Sequence, residues 1–514
     1  MKRIVLLLFA ELLPTFFCSA QNQLFYNRRI VDNSLEINTL ILPQQLLAAQ
    51  QNVATDDFAI PIATNFNIDN SGQWYNAVNE RVWRLALSSP SAYSLNLLLT
   101  DFYLPCGAEF CVYGADTSEV IIKYTADNNS DYLPTIPIAG NLIIVKYIEP
   151  YNVDFSGRFN IVQVGHDFRG LFAKEASLNV SECEINIDNE LAEDWQIVKR
   201  SVCKILIGGT TLCSGVLLNS TDGLFEPYVL TARHCISTAK QAQNSVFYFN
   251  YETPDSIDNQ YIIGADLIAL KDNDDGYLDF ALLKLKSAIP DYFNVYYSGW
   301  DISDNQFVGA TCIHHPNGDV KKISITTDTL KTASYRLFDD NTFWNVEEWA
   351  SGVTEIGSSG APLFNSEHNV IGILSGGDSN CDYPMNDFFQ KLSACYSSYN
   401  DDSMQLAHWL NPQAKSIKKL DGAFKQTTSS KEHKIEHNIT VSPNPANSNL
   451  LVMVENSSVA CVQMFDLQGN EKCCQIFKNE QNVGIDIHNL QNGVYVCKVT
   501  LQDESECNEL IIKQ

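Results

Sequence analysis

The sequence predicts a mostly β protein of several domains, and three observations carry that expectation. The runs Leu95 to Phe102, Glu109 to Gly114, Glu119 to Tyr124 and Leu142 to Tyr147 are short, alternating or apolar, and separated by Pro, Gly, Asn and Asp. Two more strand-length apolar stretches, Tyr228-Val-Leu-Thr231 and Leu278-Asp-Phe-Ala-Leu-Leu-Lys-Leu285, each carry chemistry-bearing residues at one end. Short strands with turns between them return after residue 438, in Ile439-Thr-Val-Ser-Pro-Asn-Pro-Ala446, Met464-Phe-Asp-Leu-Gln-Gly469 and Leu490-Gln-Asn-Gly-Val-Tyr-Val496. At 514 residues and 45% hydrophobic, the chain can build two or three ordinary cores.

The first 20 residues read as a secretory signal. Met1-Lys-Arg-Ile-Val-Leu-Leu-Leu-Phe9 gives a positive start and an apolar run, and Cys18-Ser-Ala20 offers small residues before Gln21. The run is too short to span a membrane, and no later stretch is long and apolar enough to form a membrane helix. Lys plus Arg is 34 against 61 Asp plus Glu, a net charge of −27, which argues against a nucleic-acid partner and favours an acidic, self-repelling surface that attracts basic substrates. Fifteen cysteines in an exported chain suggest disulfides.

The chemistry is concentrated in three places. An apolar strand ending in Thr231-Ala-Arg-His234-Cys235 delivers an imidazole to a rim, and Gly357-Ser-Ser359-Gly-Ala-Pro-Leu-Phe364 presents a hydroxyl on a tight turn. Between them, Asp279 opens an apolar strand. Each residue alone is structural more often than not; the order His, Asp, Ser is the chymotrypsin order and not that of subtilisin or the α/β-hydrolases. Ser359 needs His234 as general base and later as the acid that protonates the leaving amine, and Asp279 holds the imidazole in one tautomer. The N–H groups of Gly357 and Ser359 would form the oxyanion hole, and Gly360 leaves room beside the nucleophile.

Across residues 180 to 422 the chain resembles the lysyl endopeptidase branch of the chymotrypsin-fold (trypsin-like) serine proteases. The resemblance runs through Thr231-Ala-Arg-His-Cys235, Asp279-Phe-Ala-Leu-Leu283, Gly299-Trp-Asp301, His314-His-Pro-Asn-Gly318, Lys322-Ile-Ser324, Gly352-Val-Thr-Glu355, Gly357-Ser-Ser-Gly360 and Trp409-Leu-Asn-Pro412. It implies a double β-barrel endopeptidase with its site between the barrels. Trypsin-like enzymes carry an S1 Asp just before the nucleophile, but Ser351-Gly-Val-Thr-Glu-Ile-Gly357 has none. The family's S1 carboxylate follows the nucleophile instead, and Gly376-Gly377, Cys381 and Asn386-Asp387-Phe388 fit that pattern, making Asp387 the S1 candidate for a substrate Lys or Arg. Ser375 stands where the family has a His before the two glycines, which loosens the pocket wall and leaves Arg beside Lys. Ser358 replaces the Asp that pairs with a freed N-terminus in vertebrate zymogens, so activation cannot rest on that ion pair.

The resemblance also implies disulfides Cys213 with Cys235 and Cys183 with Cys381. Cys203 and Cys312 have no counterpart and are left to pair with each other, Cys106 and Cys111 are near enough for a hairpin bridge, and Cys395 stays open. The series Trp83-Arg-Leu, Leu104-Pro-Cys-Gly-Ala, Val112-Tyr-Gly and Glu149-Pro resembles the pro-regions of secreted bacterial proteases. Residues 21–175 are therefore expected to be a pro-domain that assists folding or covers the cleft, with a retained accessory domain as the alternative. Its junction falls between Val164 and Cys183, where self-cleavage after Lys174 fits the S1 expectation.

Residues 176–422 are the expected protease domain and 423–438 a polar linker. Residues 439–514 resemble the C-terminal sorting domain of type IX (Por) secretion, with a small carbohydrate- or partner-binding β-sandwich as the alternative. The resulting expectation is a secreted or surface-attached serine endopeptidase. Its partners are peptide substrates, its own pro-domain and the type IX secretion machinery. The alternatives are an inactive protease-fold adhesin and a same-fold enzyme of non-basic specificity. No cofactor or metal is called for. Asp272-Asn-Asp-Asp-Gly276 does not keep the EF-hand count, His314-His315 lacks a third ligand, and His433 and His437 lie in the linker.

Overall fold

The computed structural model describes residues 35–42, 56–114, 122–172, 181–253, 260–273, 276–399, 401–425, 439–454, 457–466, 471–501 and 506–513. The signal segment, Lys174 and the linker histidines lie outside the described residues. The chain divides into two compact units, one ending at Lys425 and one holding the C-terminal region.

In the first unit, alternation along the chain becomes a two-sheet N-terminal region. Leu142–Pro150 leaves every second residue half-buried and buries Ile143, Val145 and Tyr147; Glu80–Ser88 and Glu109–Gly114 flank it, both antiparallel to it. A second sheet runs in the order Ala59–Asn67, Arg158–Asp167, Ser94–Tyr103 and Ser130–Pro134. Edge-to-face rings fill the space between the sheets, with Phe110 and Phe159 centred 4.8 Å apart and Trp83 and Phe159 5.4 Å apart. That core does not stop at the sandwich: Phe58, Leu171 and Phe172 share one apolar cluster with Leu206, Leu212, Val246 and Tyr248 of the following sheet.

That following sheet has seven antiparallel strands, in the order Tyr261–Ile263, Ser245–Phe249, Val202–Ile207, Thr211–Leu218, Tyr228–Thr231, Gly276–Leu285 and Ala265–Asn273. Val202–Ile207 and Tyr228–Thr231 are buried along their whole length, Lys204 included. A ten-stranded sheet follows, in which Val308–His314, Pro362–Phe364, Val370–Gly377, Met385–Lys391 and Phe343–Glu348 lie side by side. The chain is mostly β, as its sequence predicts. Each fully buried aliphatic in these cores contributes roughly 1.5–3 kcal/mol.

The C-terminal unit is a small sandwich. Ile439–Ser442, Asn449–Val454 and Asn482–Asp486 form one sheet; Glu471–Glu480, Val459–Asp466, Gly493–Leu501 and Glu506–Lys513 form the other. Leu450, Val452, Val462, Met464, Ile485 and Val499 are buried between them.

Two expected cysteine pairings are corrected. Cys203 and Cys312 are both unbridged. Cys203 packs with Ile205 and Phe247 in the core of the seven-stranded sheet, whereas Cys312 packs with Leu363 and Trp344 in that of the ten-stranded one, so the two thiols belong to different cores. Cys106 and Cys111 are unbridged as well, Cys106 exposed in the turn and Cys111 buried within its strand.

Candidate active site

Strand geometry delivers the imidazole. Tyr228–Thr231 pairs with Gly276–Leu285, Thr231 opposite Ala281, so the chain leaves its strand beside Asp279. The Thr231 hydroxyl donates to the Ser214 carbonyl at 2.8 Å, and the Cys213–Cys235 disulfide ties the next turn to the neighbouring strand. Asp279 is fully buried and grips His234 twice, accepting its backbone N–H at 3.0 Å on Oδ1 and facing Nδ1 at 2.8 Å with Oδ2. Gln390 backs the carboxylate's own residue by accepting the Asp279 N–H at 2.9 Å.

The electrostatics follow. Burial pulls the His234 imidazole down, but the charge of Asp279 and its hydrogen bond outweigh this and hold the ring above its ordinary value; Asp56 adds in the same direction. Burial pushes Asp279 up, and His234 more than reverses that, leaving it below the usual carboxylate range.

Gly357 and Gly360 shape the opposite loop. Gly357 has φ +87°, and a Cβ there would sit 3.0 Å from the His315 carbonyl and 3.1 Å from the Asn317 nitrogen. At Gly360, φ +81°, a Cβ would be driven to 2.2 Å from the Thr231 hydroxyl, so the turn abuts the histidine strand directly. Half-buried Ser359 is held between them: its carbonyl accepts the Ser214 N–H at 2.8 Å and lies 3.7 Å from Cys235 Sγ. Ser358 points inward, its hydroxyl 2.7 Å from His314 Nδ1, while His314 Nε2 lies 3.0 Å from the Ser324 hydroxyl. Burial lowers His314 to about 3, so it is a neutral internal strut.

The residues expected to form the S1 pocket lie on adjacent strands. Gly377 is opposite Asp387 and Gly376 opposite Phe388, with Ser375 buried just upstream. Asp387 is almost fully buried in a cradle of donors: Trp349 Nε1 at 2.6 Å, the Thr354 and Ser379 hydroxyls at 2.7 Å each, and the Ser379 N–H at 3.4 Å. Burial still outweighs them and holds its carboxyl above the usual range. Tyr335 stacks on Phe388, ring centroids 4.5 Å apart, and forms an aromatic wall. The Cys183–Cys381 disulfide fastens the segment after residue 180 to this loop.

Sequence reasoning did not find Gln390, Trp349, Thr354 or Ser379, because Gln390 sits mid-strand and the other three in connecting segments, and no motif links them to the carboxylates they serve. It also missed Asp56, 301 residues from Gly357, whose N–H donates to Asp56 Oδ1 at 3.0 Å.

A histidine backed by a buried carboxylate and a serine on a glycine-bounded turn are the groups that acyl transfer employs, and the turn meets the histidine segment through the Ser359 carbonyl, 3.7 Å from Cys235 Sγ. Residues 178–390 match the family model described as Lysyl endopeptidase, C-terminal domain, and residues 440–513 match Secretion system C-terminal sorting domain. A lysyl endopeptidase of Pseudomonas aeruginosa is 32% identical over 208 residues, covering 37% of this chain and 43% of the relative, so the match spans less than half that relative's length. Among solved structures, the Rv3671c protease from M. tuberculosis in its active form aligns at 16% identity and TM-score 0.26, covering 38% of this chain and 77% of that one. A Glu endopeptidase in complex with MPD aligns at 18% identity and TM-score 0.26, covering 38% and 85%. With its sorting-domain match the protein is secreted or held at the cell surface, and no helix among the described residues is long and apolar enough to cross a membrane.

Proposed function

We propose that this protein is a serine endopeptidase that cleaves after basic residues, lysine favoured and arginine accepted, with His234, Asp279 and Ser359 as its catalytic residues. The observation that carries the reading is the double grip of Asp279 on His234. With Nδ1 committed to the carboxylate, the other ring nitrogen is the one left to take the Ser359 proton as Oγ attacks the scissile carbonyl. The imidazolium then protonates the leaving amine, and water repeats the sequence on the acyl-enzyme. The Gly357 and Ser359 N–H groups receive the oxyanion, each worth roughly 3 kcal/mol in the transition state.

Asp387 is the S1 anchor, with Ser375, Gly376 and Gly377 forming the wall along which substrate lies. A nearly buried carboxylate is costly to ionise, and an incoming ammonium compensates for that cost. The P. aeruginosa relative's description as a lysyl endopeptidase supports the same specificity. In this reading residues 1–20 are the signal, 21–175 a pro-domain, 176–422 the protease, 423–438 a linker and 439–514 the sorting domain handled by type IX machinery.

The test pairs a covalent serine-hydrolase probe with a peptide-library digest. Ser359→Ala is expected to abolish labelling, and wild-type cuts are expected to cluster after Lys and Arg. Cuts spread over other residues would remove Asp387 from its role, and absent labelling of the processed protein would remove the enzyme.

A further inference from the structure

The segment Asp56 to Phe58 of the N-terminal region lies along the edge of the strand Thr211–Leu218. The Leu212 N–H donates to the Asp56 carbonyl at 2.9 Å, Asp57 pairs antiparallel with Thr211, and the Phe58 N–H donates to the Thr210 carbonyl at 2.8 Å. The Thr211 hydroxyl donates to Asp57 Oδ1 at 2.6 Å. Phe58 is anchored behind this by Phe172, 5.5 Å away edge to face, and by the Phe168 N–H on its carbonyl at 3.1 Å. The backbone of Asp56 is thus held against Leu212, one residue from Cys213 and its bridge to Cys235.

From that position the Asp56 side chain reaches the nucleophile turn and accepts the Gly357 N–H at 3.0 Å. A carboxylate oxygen is a charged acceptor of the kind that an oxyanion hole is built to bind. The N–H it occupies is one of the two donors assigned to the reaction.

We propose that Asp56 is a built-in stopper of the oxyanion hole, its carboxylate standing where the substrate's carbonyl oxygen must go, so that the intact chain is held inactive until this segment leaves. The inference rests on the serine endopeptidase reading above. While Asp56 holds Gly357, a substrate carbonyl has one donor fewer, and its developing negative charge would form against an existing one.

A fluorophosphonate probe tests this on the full chain. Ser359 Oγ forms a bond to phosphorus, fluoride leaves with the P–F electron pair, and His234 takes the hydroxyl proton; the phosphoryl oxygen enters the hole. Labelling is followed by gel, so that the full-length band is read separately from any processed product. The full-length bands of Asp56→Ala and Asp56→Asn are expected to label faster than wild type by on the order of tenfold to a hundredfold, with alanine at least as fast as asparagine. Melting curves matching wild type show that the fold is retained. Equal, slow labelling of all three full-length bands beside a readily labelled processed enzyme would overturn the stopper alone. A processed enzyme that does not label would overturn the endopeptidase reading and the stopper with it.

Discussion

The indole nitrogen of Trp349, a residue packed in the core of the ten-stranded sheet, donates to Oδ2 of Asp387 at 2.6 Å. The bond stabilises a charge that burial disfavours, and so couples an apolar packing residue to the proposed basic specificity.

Trp349→Phe keeps an aromatic ring, though a smaller one, and removes the donor. Hydrogen bonds to charged groups are worth about 1.5–3 kcal/mol, so kcat/KM for lysyl substrates is expected to fall about tenfold or more. Because burial already holds Asp387 above the usual carboxylate range, KM for lysyl substrates should rise as pH falls through that raised value, and the variant should show the rise at higher pH. Steady-state kinetics across pH, on lysyl and neutral substrates side by side, checks both.

The His234 imidazole, raised by Asp279, must be neutral to accept a proton. Activity of the processed enzyme should therefore appear as pH rises through that raised value. Asp279→Asn removes the charge that lifts the ring and leaves the burial that lowers it, so the acid limb should move to lower pH while kcat drops by about 10⁴. A pH–rate profile of the variant reads both effects.

Gly357→Ala places a methyl 3.0–3.2 Å from the His315 carbonyl and the Asn317 and Gly318 nitrogens, at a positive φ. The turn must shift, and its N–H with it. We expect kcat to fall about 10² to 10³ with KM nearly unchanged, the split expected when an interaction made only in the transition state is lost.

Lys204 is fully buried beneath the N-terminal region, its Nζ donating to the Gly318 carbonyl at 2.8 Å and lying 3.9 Å from the Tyr251 ring centre. Burial lowers it from 10.5 to about 7. The unfolded chain therefore binds this proton more tightly between those values, and the contribution of Lys204 to stability grows as pH rises from about 7 toward 10.5. Intact Lys204→Met protein should lose that rise in its melting temperature relative to wild type, as scanning calorimetry at several pH values would show.

The strand content was legible because it rests on local chemistry, and the motifs behind the proposed triad are local too: Tyr228-Val-Leu-Thr231 is an apolar strand that stops just before His234, and Gly357 announces a backbone conformation closed to other residues. The cradle around Asp387 was not, since Trp349, Thr354 and Ser379 lie in connecting segments that only the folded chain brings to the strand carrying Asp387. The cysteines show the same limit. Two unassigned thiols, Cys203 and Cys312, invite pairing by elimination, and only the topology reveals that they face separate interiors.

The N-terminal sandwich and the seven-stranded sheet share one apolar seam, where Phe58, Leu171 and Phe172 are interleaved with Leu206, Leu212 and Tyr248. An oily weld of this kind is not dissolved by salt, which screens charges and leaves apolar attraction intact. A single nick in the connecting backbone would therefore leave both halves clasped in strong brine as in dilute buffer.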